Sequence, residues 1–596
     1  MRNLTRIGLA FAAVSFGRLS AQTAADLDLL PSTITQGEKP ATTKLTDRMA
    51  ALHVRGVSIA VIHEGKIEWA KGYGVVSEGG GAVTPETLFQ AASISKPVTA
   101  MAVMHLVQNG KLNLDADVNQ YLKSWKVPAN DFTQKTKVTL RELLSHTAGM
   151  TVHGFPGYAS DAPLPTVVQI LNGAKPANTQ AIVADIAPGS QWRYSGGGFV
   201  VTQQLLIDLT GKPFPTFMKE TVLGPAGMAH STYEQPLPKS RLGEAAMPYH
   251  SNGQPTPGGP HVYPEMSAAG LWTTPSDLAR FAIELQNALA GKSSVLSAAT
   301  AKEMLTPIKD NWGLGIGLGG DARRPYFQHG GANDGFQCNL VAYYSGDGVA
   351  VMTNSDNGGQ LIGEIVRTIA YQHKWPDFAP REIPKPGSFS LSPEALQRYA
   401  GTYGVAPGVN MIITVENGQL ISQMTRQQKL PLTALSANTF TPKVIDAQLE
   451  FPKDETGPSS QLVIHQNGRD MTAKRLSDAE AKAVTDAIAD FERRLKEQKP
   501  AAGSEAAVRH MVEGLIAGKP DYDQMSPGLA NATRQQLAGI QTTFAGFGAL
   551  QSITFKGVGS GGADIYQVKF EKGSIDYRIW LAPDGKVDSA NFRPSE

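Results

Sequence analysis

The sequence predicts a multidomain protein: an α/β unit with an antiparallel sheet flanked by helices plus a helical subdomain, then a small all-β unit, then a C-terminal α+β unit. Three observations carry this. At 596 residues the chain exceeds what one hydrophobic core can serve, and roughly three or four domains are expected. A proline-rich stretch, Trp375–Leu391 (WPDFAPREIPKPGSFSL), breaks the apolar patterning and reads as a linker. Before it, strand-like runs lie at both ends of a long helical middle; beyond it the pattern is nearly all strand, then helices followed by strands.

The boundaries that follow are 1–21 for a leader, 22–380 for the first unit, 391–476 for the all-β unit, 477–502 for a helical connector and 503–596 for the α+β unit. The leader has Arg2 and Arg6, an apolar run from Ile7 to Gly17, then Leu19-Ser20-Ala21 before Gln22, the layout of a secretory signal peptide cut after Ala21. Arg18 near the cut and the size of Leu19 are atypical. No later stretch reaches the roughly 18 apolar residues of a membrane span, so a periplasmic or secreted protein is expected.

Within the first unit, Val57–Ile62 and Lys66–Gly74 form a hairpin around His63-Glu64-Gly65. Leu88–Gly110 (LFQAASISKPVTAMAVMHLVQNG) is a nearly unbroken apolar helix closed by Asn109-Gly110. Thr139–Met150 (TLRELLSHTAGM) is a short helix, and Pro188–Leu206 a glycine-rich turn feeding an apolar helix. Thr274-Pro275-Ser276-Asp277 starts another helix. Two alternating strands, Cys338–Tyr344 and Val349–Asn354, follow FQHGG, and Leu361–His373 closes the unit as a helix. Strands from both ends of the unit make the sheet, and a catalytic cleft lies between sheet and helical subdomain.

In the all-β unit, Asn417-Gly418 and Asn467-Gly468 are two-residue hairpin turns between strands, so Tyr399–Leu476 is a small meander or barrel. Ser477–Ala502 is charged and helical. The last unit opens with Ser504–Ala517, whose Val508, Met511, Val512, Leu515 and Ile516 form an apolar stripe. Strands follow at Ser552–Val558, Ala563–Phe570 and Ser574–Leu581, with turns at Lys572-Gly573 and Pro583-Asp584-Gly585.

Composition narrows function. With 18% charged residues and a formal net charge of +1, nothing points to nucleic acid or an anionic membrane as partner. The single cysteine, Cys338, permits no intrachain disulfide, lies in apolar alternation and reads as a buried thiol. No Cys/His pair has zinc spacing, and no metal or cofactor is expected.

Chemistry concentrates at Ser93-Ile94-Ser95-Lys96. Residues three apart share a helix face, so the Ser93 hydroxyl and Lys96 amine can meet. A serine hydroxyl needs a base, and a lysine dried by Val98, Met101, Ala102 and Val103 can supply one. Ser-x-x-Lys is short enough to occur by chance, with Ser93 then a mere helix cap and Lys96 solvated. The rest of the chain decides between them.

Four stretches stand in order: Ser93-Ile94-Ser95-Lys96, LLSHTAGM ending at Met150, Tyr194-Ser195-Gly196, and His329-Gly330-Gly331. Together they resemble the serine β-lactamase-related hydrolases. The nearest branch is the class C-like one, which includes D-Ala-D-Ala carboxypeptidases, D-amino-acid peptidases and esterases. The likeness covers roughly Leu45–Trp375.

The resemblance implies roles. Ser93 corresponds to the acylated nucleophile, Lys96 to its base or proton relay, and Tyr194 to the second-motif tyrosine that deprotonates water or protonates the leaving group. Such a tyrosine base needs a pKa well below ~10, which calls for a Lys96 cation beside it. His329, Gly330 and Gly331 correspond to the substrate-binding third motif. Gly196 replaces the usual asparagine; His329 and Gly330 replace lysine and threonine or serine. His329, mostly neutral near pH 7, is expected to donate one uncharged hydrogen bond and to titrate as pH falls. His153 and Glu265 face the same region and are left outside the catalytic set. The all-β unit resembles a lipocalin-like domain of some relatives, and the last unit weakly resembles a nuclear-transport-factor-type fold; packing, substrate-range or protein- or glycan-partner roles stay open for both.

The function read from these residues is exported serine hydrolysis of an ester or amide through an acyl-enzyme. Small esters, D-amino-acid peptides and, as poor substrates, β-lactams are the candidates. A β-lactamase or penicillin-binding carboxypeptidase is the alternative within the class. A binding or sensor protein that kept the pocket and lost turnover is the alternative outside it, and Gly196 is its main support.

Overall fold

The structure, a computed structural model, describes residues 26–595 apart from 384, 386–388, 407, 426, 443–444, 446, 453–456, 467–468, 560 and 583. The expected leader, the Asn467-Gly468 turn and Pro583 lie outside the described residues. The chain divides into two compact units, the first essentially Glu38–Glu382 and the second essentially Ile383–Glu596.

In the first unit β1 (Gly56–His63) and β2 (Lys66–Gly74) form the expected hairpin. Helices α1 (Ser95–Gln108), α2 (Gly196–Thr210) and α3 (Pro275–Leu289) follow, then β3 (Gly317–Gly319), β4 (Tyr326–Asn333), β5 (Phe336–Tyr343), β6 (Gly348–Thr353) and α4 (Gly358–Gln372). The six strands make one sheet ordered β2-β1-β6-β5-β4-β3, with all the recorded pairings antiparallel. N- and C-terminal segments therefore share one sheet, as the patterning predicts.

Side-chain alternation explains the layers. Val57, Ile59 and Val61 join Val349 and Val351 under Leu361, Ile365 and Ile369 of α4. Ala60, Ile62, Ala350 and Met352 point the other way, into the core that holds Leu278, Phe281 and Leu285 of α3. Fully burying one such side chain contributes about 1.5–3 kcal/mol, so both layers are held by burial rather than by propensity.

α1 is the interior helix of this core. Every residue from Ser95 to Met104 is buried, which is why its sequence is apolar on all sides. It ends at Asn109, with Gly110 at φ +67°, a left-handed turn that glycine adopts readily.

Three expectations need correction. Ser93 is not on the α-helix itself: Ala92–Ile94 form a single 3₁₀ turn, and α1 starts at Ser95. The helix expected over Thr139–Met150 is only Leu140–Leu144, closed by a reciprocal capping box between Thr139 and Glu142. The glycines after Tyr194 are the first turn of α2 itself and not a turn ahead of it, because the Ser195 hydroxyl accepts from the Gly198 N–H and caps the helix.

In the second unit, strands β7 to β14 (Gly401–Ala406, Val409–Glu416, Gln419–Met424, Lys429–Ala434, Thr439–Pro442, Ala447–Glu450, Gln461–Gln466, Arg469–Arg475) close into a barrel. Tyr403, Ile413, Leu420, Leu432, Phe440, Leu449, Leu462 and Ala473, one from each strand, fill its core. Helix α5 (Asp478–Glu497) has no buried residue, as a charged connector should. Helices α6 (Ser504–Ala517) and α7 (Pro527–Phe547) then precede a four-stranded meander, β15 to β18 (Leu550–Val558, Asp564–Phe570, Gly573–Leu581, Val587–Pro594). Val508, Met511, Val512 and Leu515 are buried as expected, but Ile516 is 41% exposed and belongs to the surface.

Candidate active site

The 3₁₀ turn that carries Ser93 is held from several sides. Ala92 has φ +47°, a left-handed conformation that costs a non-glycine residue about 1–2 kcal/mol. β4 packs against this turn: a Cβ added to Gly331 would lie 2.3 Å from the Ala91 carbonyl oxygen and 2.5 Å from Cys338 Sγ. Glycine is therefore required at Gly331. Cys338 is buried, donates its S–H to the Ala91 carbonyl at 3.1 Å, and burial pushes its thiol pKa up, so a structural role fits.

Lys96, in the first turn of α1, is 2% exposed. Its Nζ lies 3.0 Å from Ser93 Oγ and donates to the Ala268 carbonyl at 2.8 Å. Burial lowers its pKa to about 7. A neutral amine here keeps one N–H on Ala268 and turns its lone pair to the Ser93 hydroxyl, the arrangement a general base needs.

Tyr194 stands just before α2, its ring centroid 4.9 Å from Lys96 Nζ. Burial raises its pKa above the ordinary tyrosine value, and a hydrogen bond with Ser93 opposes this more weakly. This corrects the expectation of a tyrosine made acidic by a Lys96 cation. Burial that strips charge from Lys96 also disfavours a phenolate, so the resting pair is a protonated tyrosine beside a half-neutral amine.

His146, from LLSHTAGM, packs at 4.2 Å from the Tyr194 ring centroid. Its Nδ1 accepts from the Ser195 N–H at 3.1 Å, which places the proton of the neutral ring on Nε2. Burial, then the Lys96, His329 and His153 charges, hold its pKa well below the usual histidine value. The His153 ring, on an exposed residue, lies 4.9 Å from Tyr194. Glu265 is fully buried, and burial pushes its carboxyl up to about 7.

On β4, His329 is buried, Gly330 exposed and Gly331 buried. β3 pairs with β4 only over Tyr326–Gln328, so no recorded ladder covers that edge from His329 onward. Gly330 has no close neighbour, and a Cβ there would reach only 3.8 Å contacts. Histidine differs from the expectation in two ways. Its Nδ1–H is taken up by the Gly330 carbonyl at 2.6 Å, so Nε2 is an acceptor and not a donor. Burial and the Lys96 charge lower its pKa to about 3, so it does not titrate near neutrality.

Gly196 has a steric reason. A Cβ there would lie 2.9 Å from Phe155 Cε2 and 3.1 Å from the His153 carbonyl oxygen. The Phe155 ring occupies the space into which an asparagine side chain would grow. Phe155, Trp192 and Trp312 had no signal of their own in the sequence; His146 stands within LLSHTAGM, where no role pointed to it.

A family model described as Beta-lactamase matches residues 41–370, more than half the chain. The chain belongs to the beta-lactamase family. A second model, described only as a domain of unknown function, matches residues 386–478, the barrel region. Among curated relatives, Protein flp of Staphylococcus aureus (strain N315) is 28% identical over 229 residues, covering 38% of this chain and 42% of that protein. A Beta-lactamase of Pseudomonas fluorescens is 29% identical over 229 residues, covering 38% of this chain and 59% of that one. The match thus spans about two-fifths to three-fifths of these relatives. Among solved structures, the octameric penicillin-binding protein homologue from Pyrococcus abyssi superposes with a TM-score of 0.48 at 21% identity, covering 72% of this chain and 98% of that one. No helix among the described residues is long and apolar enough to cross a membrane.

Proposed function

We propose that this member of the family is an exported serine hydrolase that cleaves an ester or amide through an acyl-enzyme on Ser93, with uncharged esters preferred to anionic β-lactams. The observation that carries the reading is the buried Lys96 amine, 3.0 Å from Ser93 Oγ with a pKa of about 7. Neutral Lys96 takes the Ser93 proton as Oγ bonds the acyl carbon. The protonated Tyr194 hydroxyl gives its proton to the leaving oxygen or nitrogen as that bond breaks, and Lys96 restores it. Water then attacks the acyl carbon, its proton passing to the Lys96–Tyr194 pair and on to Ser93 Oγ as the acid leaves.

The substrate lies along the open edge at His329, Gly330 and Gly331 in this reading. A neutral His329 forgoes the charge-assisted hydrogen bond that a lysine would give a carboxylate, a bond roughly twice as strong as a neutral one. That disfavours penicillins, cephalosporins and peptide C-termini. The proposed catalytic domain is 22–380, followed by the lipocalin-like 391–476, the connector 477–502 and the nuclear-transport-factor-like 503–596. Gly196 favours a second reading, a ligand-binding protein without turnover. Turnover of a chromogenic short-chain ester that disappears in Ser93→Ala supports hydrolysis; ligand binding without turnover supports the second reading. Hydrolysis of nitrocefin or a D-Ala-D-Ala peptide in preference to the ester would instead support the β-lactamase or carboxypeptidase alternative.

A further inference from the structure

Around Tyr194 lies a set of aromatic rings, two of which the proposed acyl transfer does not use. Trp192, Tyr194 and Trp312 touch one another, with centroids 5.6 Å apart for Trp192–Trp312, 6.0 Å for Tyr194–Trp312 and 6.4 Å for Trp192–Tyr194. All three residues are half-buried. Trp312 also stands 5.3 Å from His146 and 5.4 Å from His329. The set therefore joins Tyr194 to His146 of LLSHTAGM on one side and to His329 of the third motif on the other.

Their polar atoms are unmatched. Trp192 Nε1, Trp312 Nε1, His146 Nε2 and His329 Nε2 are each buried without a hydrogen-bond partner. Buried polar groups in native proteins are nearly always paired, and a buried indole N–H usually finds an acceptor. Given the bonds that Nδ1 makes in each imidazole, three of these atoms are donors and one, His329 Nε2, is an acceptor. Four such atoms in one ring cluster beside a nucleophile fit a subsite whose occupant supplies the missing partners. Among the described residues the charge-bearing group recorded against these rings is Lys96 over Tyr194, and burial leaves it half-neutral near pH 7, so the cluster suits an uncharged group.

We propose that Trp192, Tyr194 and Trp312, with His146 and His329, form an acyl-group subsite for an uncharged aromatic ring bearing hydrogen-bond acceptors. This rests on the serine-hydrolase reading above and adds the substrate class to it. The ring of the acyl group packs on the half-buried indoles, and its acceptor atoms meet the indole and imidazole N–H groups. Trp192 and Trp312 are specificity-determining residues here and take no part in proton transfer.

The test uses the full chain and two esters with one leaving group, p-nitrophenyl acetate and p-nitrophenyl 3-(4-methoxyphenyl)propanoate. The ratio of their kcat/KM values reports the acyl side alone. Trp312→Ala is expected to lower the arylpropanoate-to-acetate ratio by about tenfold or more, and Trp312→Phe, which keeps a ring, to restore most of it. An unchanged ratio in Trp312→Ala, or a loss that Trp312→Phe does not rescue, overturns the proposal. Should the wild type hydrolyse neither ester, the hydrolase reading fails separately, and binding decides the subsite. Calorimetry with N-methyl-3-(4-methoxyphenyl)propanamide on Ser93→Ala is then expected to give binding that weakens about tenfold on adding Trp312→Ala. No binding, or equal binding by both, overturns the subsite.

Discussion

Acylation should follow the protonation of Lys96. The amine's pKa falls from 10.5 to about 7 on burial. At about pH 7 roughly half the molecules then hold it neutral, against roughly one in three thousand for an unperturbed lysine. Neutral amine is the active base, so the rate of inactivation by a fluorophosphonate should rise with pH, with a midpoint near 7, and level off above it. The same shift has a stability consequence. The folded pKa lies below the unfolded one, so the unfolded chain binds more protons and stability rises with pH between about 7 and 10.5. The penalty is complete below about pH 7 and amounts to about 5 kcal/mol. Lys96→Met removes that penalty and loses two hydrogen bonds worth about 1 kcal/mol each, a net gain of about 3 kcal/mol near pH 7. Urea unfolding across this range should show the variant's advantage shrinking toward pH 10.5. An acylation midpoint near 10, a flat profile, or a Lys96→Met variant less stable than wild type at neutral pH would refute the reasoning.

Two further outcomes are expected. Gly196→Ala brings a methyl against Phe155, and ester turnover should fall; adding Phe155→Leu should recover part of it, whereas equal activity of wild type and Gly196→Ala would show the ring moves aside freely. With the His329 pKa near 3, the ratio of nitrocefin to neutral-ester activity should stay flat from about pH 8 to about pH 5, and His329→Lys should raise it about tenfold. A rise toward acid pH in the wild type would mean that His329 titrates where the structure keeps it neutral.

The sheet was legible because its pattern is strict: β1 sends Val57, Ile59 and Val61 to one apolar layer and Ala60 and Ile62 to the other, β6 does the same with Val349 and Val351 against Ala350 and Met352, and Asn417-Gly418 marks a tight turn. α7 and β18 were not legible. PGLANATRQQLAGIQTTFAGF mixes threonine and glycine with polar residues, and VDSANFRP has no β-rich run, so packing rather than local preference fixes both. At the site, the Ser93–Lys96 contact follows from sequence spacing whether the turn is 3₁₀ or α. The protonation states do not follow from it. Lys96, Tyr194 and His329 are all shifted chiefly by burial, and burial depends on elements far apart in the chain. Phe155 at Gly196 and Trp312 beside Tyr194 are likewise contacts across long sequence separations.

The central claim is that one serine is the nucleophile. Intact-mass measurement after treatment with a fluorophosphonate, followed by peptide mapping, tests it most directly. A single adduct on Ser93, absent from Ser93→Ala, is the expected result. Label on Ser145, whose hydroxyl pairs with Thr147, or on Ser195, which caps a helix, would contradict it, as would an unlabelled protein.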